Sequence, residues 1–267
     1  MIDFHNHLLY DVDDGPKTID ESIEMCICAH KQGITEIVQT VHFQHPKMEG
    51  KNVNYDFLMK RLNDVQAEID KRRLNIKLHL TAEVFYLPNL LNICKNPLLT
   101  IGNNKYMLIE FSSNIFPEGY ENQFFDLQSY GVTPIIAHPE RYRFIQNDVQ
   151  ILNSWIDRGY VIQIDAGSII GHFGKNTKNI AQQIINNGHF HLIGSDAHNS
   201  KKRNFCIHEA YDILQKILSS KIVNQLKVNS ESIIQGEDVF SINYYFNSKN
   251  STNKLYKLKE KLIKFLS

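Results

Sequence analysis

Four residues into the chain stands His5-Asn6-His7, two imidazoles separated by one residue. On a strand such residues point to the same side, so both rings can grip one ion. An isolated pair of this kind is also an ordinary strand end. A second pair, Asp196-Ala197-His198, follows the apolar run that closes at Gly194-Ser195. Asp11-Val12-Asp13-Asp14-Gly15-Pro16 is an acidic loop that would equally serve as a solvated turn. His138-Pro139-Glu140-Arg141 follows another apolar run, and His42 follows a further one. Glu83 and Glu110 end the runs TAE and LIE, where a carboxylate is costly unless it is paired. Together these pieces describe a metal site. Mixed nitrogen and oxygen donors suit manganese, iron or zinc better than calcium or magnesium.

Such a site needs elements that bring its parts together. Short β-rich runs are expected over 1–4, 36–41, 76–83, 106–111, 133–137, 161–164 and 190–194. Between them lie helical patterns. Ile19, Ile23, Cys26, Ile27 and His30 share one face, with Thr18 as cap and Glu21 completing a capping box. Further helices are expected over 55–73, 121–130, 149–158, 177–187 and 204–218. Gly33, Gly131, Gly159 and Gly188 each follow a helix pattern and precede a strand. Alternation of this kind indicates parallel βαβ units, in an open sheet or a closed barrel. His5, His42, Glu83, Glu110, His138 and Asp196 all stand at the C-terminal ends of predicted strands. An open sheet concentrates ligands at one switch point, whereas a barrel gathers them from many strands at one face. The spread over six strands favours the barrel.

The chain has 267 residues, within the range of a single α/β barrel, and 42% of them are apolar, enough for a substantial core. Lys plus Arg number 29 and Asp plus Glu 29, so no net field favours nucleic acid. The cysteines Cys26, Cys28, Cys94 and Cys206 form no CxxC, and so few in a chain of this length fit a reducing compartment. Neither a secretory leader nor a run of about 18 apolar residues is evident, and a cytoplasmic location is expected. A cysteine-dependent phosphatase needs Arg six positions after its Cys. Gln32, Ile34, Thr100 and Asp212 stand there instead, which excludes that class. Asp11-Val12-Asp13 has the spacing of an aspartate nucleophile loop, but the flanking residues do not match.

Five segments carry a family resemblance: MIDFHNHLLYDVDDGPKTIDES, TAEVFY, LIEFS, GVTPIIAHPERY and LIGSDAHN. They resemble the PHP (polymerase and histidinol phosphatase) superfamily, and within it the bacterial tyrosine-protein phosphatases of capsule and exopolysaccharide systems. The likeness covers residues 1–238. It implies an α/β fold, a distorted seven-stranded (β/α) barrel of the PHP type, with two or three divalent ions, manganese foremost and iron or zinc as alternatives. By that resemblance His5, His7, Glu83 and Asp196 hold the first ion. Glu83 bridges to the second, which Glu110 and His138 also bind. Asp14, His42 and His198 hold the third. Arg141 and Arg203 match the arginines that contact phosphate. The implied activity is hydrolysis of phosphotyrosine on a protein tail, that of a bacterial tyrosine kinase. The alternative is a histidinol-phosphate or other small-molecule phosphomonoesterase with the same metals. A catalytically silent scaffold is disfavoured by the full ligand set.

His45 has no role in the resemblance, and Asp165 is expected to face solvent. His30 and His208 read as surface or packing residues, His191 as lying outside the barrel, and Trp155 as core. The organisation expected is a phosphatase domain over 1–243, then a polar linker and a basic amphipathic helix within 244–267. Leu255, Leu258, Leu262 and Phe265 form that helix's stripe, with Lys254, Lys257, Lys259, Lys261 and Lys264 around it. Such a helix either packs on the barrel or lies weakly on anionic lipid.

Overall fold

The structure is a computed structural model that describes residues 1–48 and 54–242. Seven strands form a single parallel sheet in chain order: β1 (Ile2–Asn6), β2 (Glu36–Phe43), β3 (Lys77–Phe85), β4 (Tyr106–Glu110), β5 (Thr133–Ala137), β6 (Val161–Asp165) and β7 (Leu192–Gly194). Every expected strand is present. The connecting helices are α1 (Ile19–Lys31), α2 (Tyr55–Lys71), α3 (Leu90–Ile93), α4 (Tyr120–Ser129), α5 (Arg143–Asn147) and α6 (Ile151–Asp157). Then come α7 (Ala166–Ile170), α8 (Gly174–Asn187), α9 (Ile207–Ile217) and α10 (Ser220–Gln235). Thr18 caps α1 in the expected box, its hydroxyl accepting from the Glu21 N–H.

The sheet curls until its first and last strands meet. Asn6 bridges Ala197 in parallel, the His7 N–H donates to the Ala197 carbonyl at 2.8 Å, and the Asp196 N–H donates to the His5 carbonyl at 2.7 Å. The seam of the barrel thus consists of the two sequence pairs that could bind metal. Gly194 is required there, because a Cβ on it would collide with the backbone and Cβ of His5.

Two apolar layers follow from the period of two along each strand. Ile2, Phe4, Val38, Tyr106, Leu108, Ile135, Val161 and Leu192 fill the lower barrel interior. The alternate residues, such as Ile37, Ile109, Ile136, Ile162 and Ile193, pack outward against the helices. Helix α10 closes the bottom, sending Ile233 into the interior cluster. No helix was expected at α10. Its buried face carries Asn229, Ser230 and Ser232 among Ile222, Val223, Leu226 and Ile233, which breaks the apolar stripe. Asn229 makes up for its burial by donating to the carbonyls of His191 and Phe240 and accepting from the Phe240 N–H.

Trp155 is fully buried, as expected, and its indole N–H donates to the Tyr120 hydroxyl at 2.8 Å. Among the described residues no helix is long and apolar enough to cross a membrane. The linker and helix expected within 244–267 lie outside the described residues.

Candidate metal centre

The barrel's inward positions change character toward the C-terminal ends of the strands. His42 pairs in register with Glu83, Phe85 with Glu110, and Asp165 with Gly194. The inward series on successive strands therefore ends in one polar layer. His5, His7, Glu83, His138, Asp196 and His198 are all buried there. Glu110, Asp14 and His42 stand at its rim. All nine side chains that the resemblance implicates meet at this one mouth.

Their reactive atoms fall into four overlapping groups: His7, Asp14, His42 and His198; His5, His7 and Asp196; His5, Glu83 and His138; and His42, Glu83 and Glu110. Glu83 is shared. One of its oxygens lies 3.2 Å from His5 Nε2 and 3.1 Å from His42 Nδ1, and the other lies 2.9 Å from His138 Nε2. His7 Nε2 lies 3.4 Å from both Glu83 and Asp196. His198 Nε2 and His42 Nε2 lie 3.1 and 3.5 Å from Asp14 Oδ1. Around an ion with bonds of about 2.1 Å, neighbouring donors sit about 3 to 3.5 Å apart.

The imidazole tautomers point the same way. The Gln163 amide nitrogen donates to the Ile164 carbonyl, so its oxygen accepts from His5 Nδ1–H at 2.9 Å. Asp13 accepts from His7 Nδ1–H at 2.8 Å, and the Asp196 carbonyl accepts from His198 Nδ1–H at 2.9 Å. Each bond turns the opposite nitrogen, Nε2, toward the centre with its lone pair free. His5 Nε2, His7 Nε2, His42 Nδ1 and Glu110 Oε2 are buried and have no hydrogen-bond partner. Orphans of this kind are costly unless an ion satisfies them. The residues present therefore fit a polynuclear divalent centre.

Electrostatics agree. Burial works to raise the Glu83 carboxyl, but His5, His138 and His42 hold it well below the usual range. Asp196 is also held well down, against burial, by Arg141, His7 and His5. Glu110 goes the other way, pushed well up by burial and by the charges of Glu83 and Asp196. His138 is lowered to about 4 by burial and by Arg141. Glu110 is thus crowded by neighbouring carboxylates, a repulsion that bound cations would relieve. His138 and Asp196 also have left-handed backbones, φ 33° and φ 49°. Strain of this kind persists where surrounding contacts enforce it and clusters at functional sites.

Two guanidiniums reach the same layer. Arg141 Nη1 and Arg203 Nη2 donate to Asp196 Oδ2 at 2.7 and 2.6 Å, which places both arginines beside a cavity of about 160 Å³. The Nε–H groups of Arg141 and Arg203 have no partner.

Asp165 does not face solvent. It is fully buried, ion-pairs with Arg141, and caps α7 by accepting from the Gly167 N–H. Phe173 stacks over the Arg141 guanidinium at 4.0 Å. His45, left without a role, lies 3.6 Å from Glu110 and lines the same cavity with Lys47. Sequence reasoning also missed Gln163 and Asp13 as orienting groups. The signal for Gln163 was its parity with Asp165 on β6. His191 is buried beneath α10, where its Nδ1 accepts from the Ile162 N–H at 3.0 Å.

The model of the family described as capsular polysaccharide synthesis, CpsB/CapC, matches residues 1–235. The tyrosine-protein phosphatase YwqE of Bacillus subtilis (strain 168) is 35% identical over 245 residues, 90% of this chain and 94% of its own. The tyrosine-protein phosphatase CpsB of Streptococcus pneumoniae is 30% identical over 241 residues, 86% of this chain and 96% of its own. A crystal structure from work on these two proteins, described as unique metal-dependent tyrosine phosphatases, superposes with a TM-score of 0.85 at 32% identity, covering 91% of this chain and 98% of the other. An organophosphorus hydrolase variant of Deinococcus radiodurans, 13% identical with a TM-score of 0.53, shares the barrel fold.

Proposed function

The chain belongs to the CpsB/CapC family of capsular polysaccharide synthesis, and from that premise we propose that it is a metal-dependent tyrosine-protein phosphatase. The observation that carries the reading is the convergence of nine nitrogen- and oxygen-bearing side chains into overlapping groups; seven of the nine line one small cavity together with two arginines. His5, His7, Glu83 and Asp196 would hold one ion, Glu83, Glu110 and His138 a second, and Asp14, His42 and His198 a third. Manganese suits these donors, with iron and zinc as alternatives. Divalent ions held there supply Lewis acidity, lowering the pKa of water to about 7 and offsetting charge on phosphoryl oxygens.

The protein's own residues supply the rest. Gln163 and Asp13 lock the imidazoles of His5 and His7 with Nε2 facing inward. Arg141 and Arg203 present guanidinium forks to the phosphoryl oxygens, a planar match that lysine lacks. Asp165 and Phe173 brace Arg141, so little order must be gained when phosphate arrives. The cavity admits a phosphoryl group and not a folded chain, which favours a phosphate carried on a long side chain. A phenol leaving group has a pKa of about 10 and needs less protonic help than an alkoxide.

The substrate we assign is a phosphotyrosine-bearing tail of a bacterial tyrosine kinase in capsule synthesis, met in the cytoplasm. By sequence alone we assign residues 244–267 to an appendage of this domain. Their apolar spacing supports packing on the barrel, and the lysines around it support a weak contact with an anionic membrane surface. The reading is tested by kcat/KM on a tyrosine phosphopeptide against histidinol phosphate. A tenfold preference for the peptide, about 1.4 kcal/mol, is expected. The reverse preference would make it a small-molecule phosphatase.

A further inference from the structure

An apolar groove of about 650 Å³ opens beside the metal centre. Its walls are Phe85, Tyr86, Ile115, Phe116, Pro46 and Pro117. These residues continue the elements that carry the candidate ligands. Phe85 stands two residues beyond Glu83 on β3, and Pro46 follows His45 directly. The Tyr86 N–H donates to the Glu110 carbonyl at 2.8 Å, tying the wall to β4. The His45 ring adjoins both spaces. His45 packs edge-on against Phe85 at 5.1 Å between centroids and lies 3.6 Å from Glu110.

The two spaces have opposite chemistry. The cavity is lined by imidazoles, carboxylates, Arg141, Arg203 and Lys47. Among the described residues Glu118 is the one charged side chain on the groove. A groove of that kind rejects a phosphoryl group and accepts an uncharged ring. Ile115 is 68% exposed and Phe116 43%, so each has apolar surface left to bury. An aryl phosphate has the same division, a dianion joined through one oxygen to a rigid aromatic ring. From this match we infer that the groove is the aryl subsite of the enzyme: it seats the tyrosyl ring of the substrate and selects aryl over alkyl phosphomonoesters.

The assignment rests on the phosphatase reading, and a binding experiment separates the two. Benzylphosphonate, in which a methylene replaces the ester oxygen, and ethylphosphonate are titrated into manganese-loaded protein by calorimetry. Wild type should bind the benzyl compound about tenfold more tightly, from burial of the ring. Ile115→Ser with Phe116→Ser should cut that ratio to below about threefold. Phe125→Ser, equally exposed on α4 but away from the groove, should keep it. A wild type without preference for the benzyl compound, or a double variant that retains it, overturns the inference. Melting curves identify a variant that has unfolded, and Ile115→Ser alone then provides the measurement. A protein that shows the preference yet hydrolyses no aryl phosphate would contradict the phosphatase reading while upholding the subsite.

Discussion

Replacing Asp13 by Asn should weaken metal binding although Asp13 belongs to none of the ligand groups. Asp13 is buried, and its two oxygens accept three N–H groups. Oδ1 takes the Gly15 N–H at 3.1 Å, and Oδ2 takes His7 Nδ1–H at 2.8 Å and the His42 N–H at 3.3 Å. An amide has only one accepting oxygen. In its better orientation it keeps His7 and sets an NH2 group against the Gly15 N–H. In the other it turns a donor on His7 itself. The loop cannot move aside, because Gly15 already lies against the His7 carbonyl. Against the cost of burial, the Asp13 charge holds the His7 imidazole well above its ordinary pKa, and that basicity strengthens the opposite nitrogen as a ligand. Loss of such an orienting carboxylate lowers metal affinity by about 10- to 100-fold, or about 1.4 to 2.7 kcal/mol. The assay is competition for manganese between the purified protein and a fluorescent chelator, with a melting curve to show that Asp13→Asn is folded. Wild-type affinity in a folded variant would refute the orienting role.

Arg141→Lys and Arg203→Lys should each lower kcat/KM on a tyrosine phosphopeptide by about 100-fold, with metal content unchanged by elemental analysis. Loss of metal in Arg141→Lys would reassign that residue to the scaffold. Burial lowers the His191 pKa to about 4, and its Nδ1 must stay unprotonated to accept from Ile162. Between pH 6.5 and 4 the unfolded chain therefore binds the extra proton. Stability should fall as pH drops through that window by up to about 3 kcal/mol. His191→Asn keeps an acceptor and should flatten this part of a denaturation-versus-pH curve, and an unchanged slope would contradict the assignment. Protein with and without residues 248–267 can be co-sedimented with anionic vesicles. Weak, salt-sensitive binding confined to the longer chain supports the lipid contact, and equal binding by both excludes it.

Much of the site could be read from residue types and their positions. The seven strands were marked by apolar runs, and the candidate ligands by polar residues placed where those runs end. Pairs such as His5 with His7 needed only the period of two to be placed on one face. The misreadings have one physical origin, a partner distant in sequence. Asp165 shares the inward parity of Gln163, but its burial makes sense only once Arg141 arrives from the loop after β5. Asn229 hid α10 because a buried amide looks like a surface residue until the carbonyls of His191 and Phe240 stand next to it. Ile115 and Phe116 lie in a loop without periodicity, and the groove they line with Phe85 exists only in three dimensions.

The central claim is that the clustered side chains hold divalent ions that the hydrolysis requires. The most direct measurement is the rate of phosphate release from a tyrosine phosphopeptide by protein stripped with a chelator, then titrated with manganese while bound metal is counted. Activity should be absent in the stripped protein and return in proportion to two or three ions bound per chain. It should fail to return in His5→Ala or Glu83→Ala. Full activity in metal-free wild type, or restored activity in Glu83→Ala at wild-type manganese levels, would contradict the account.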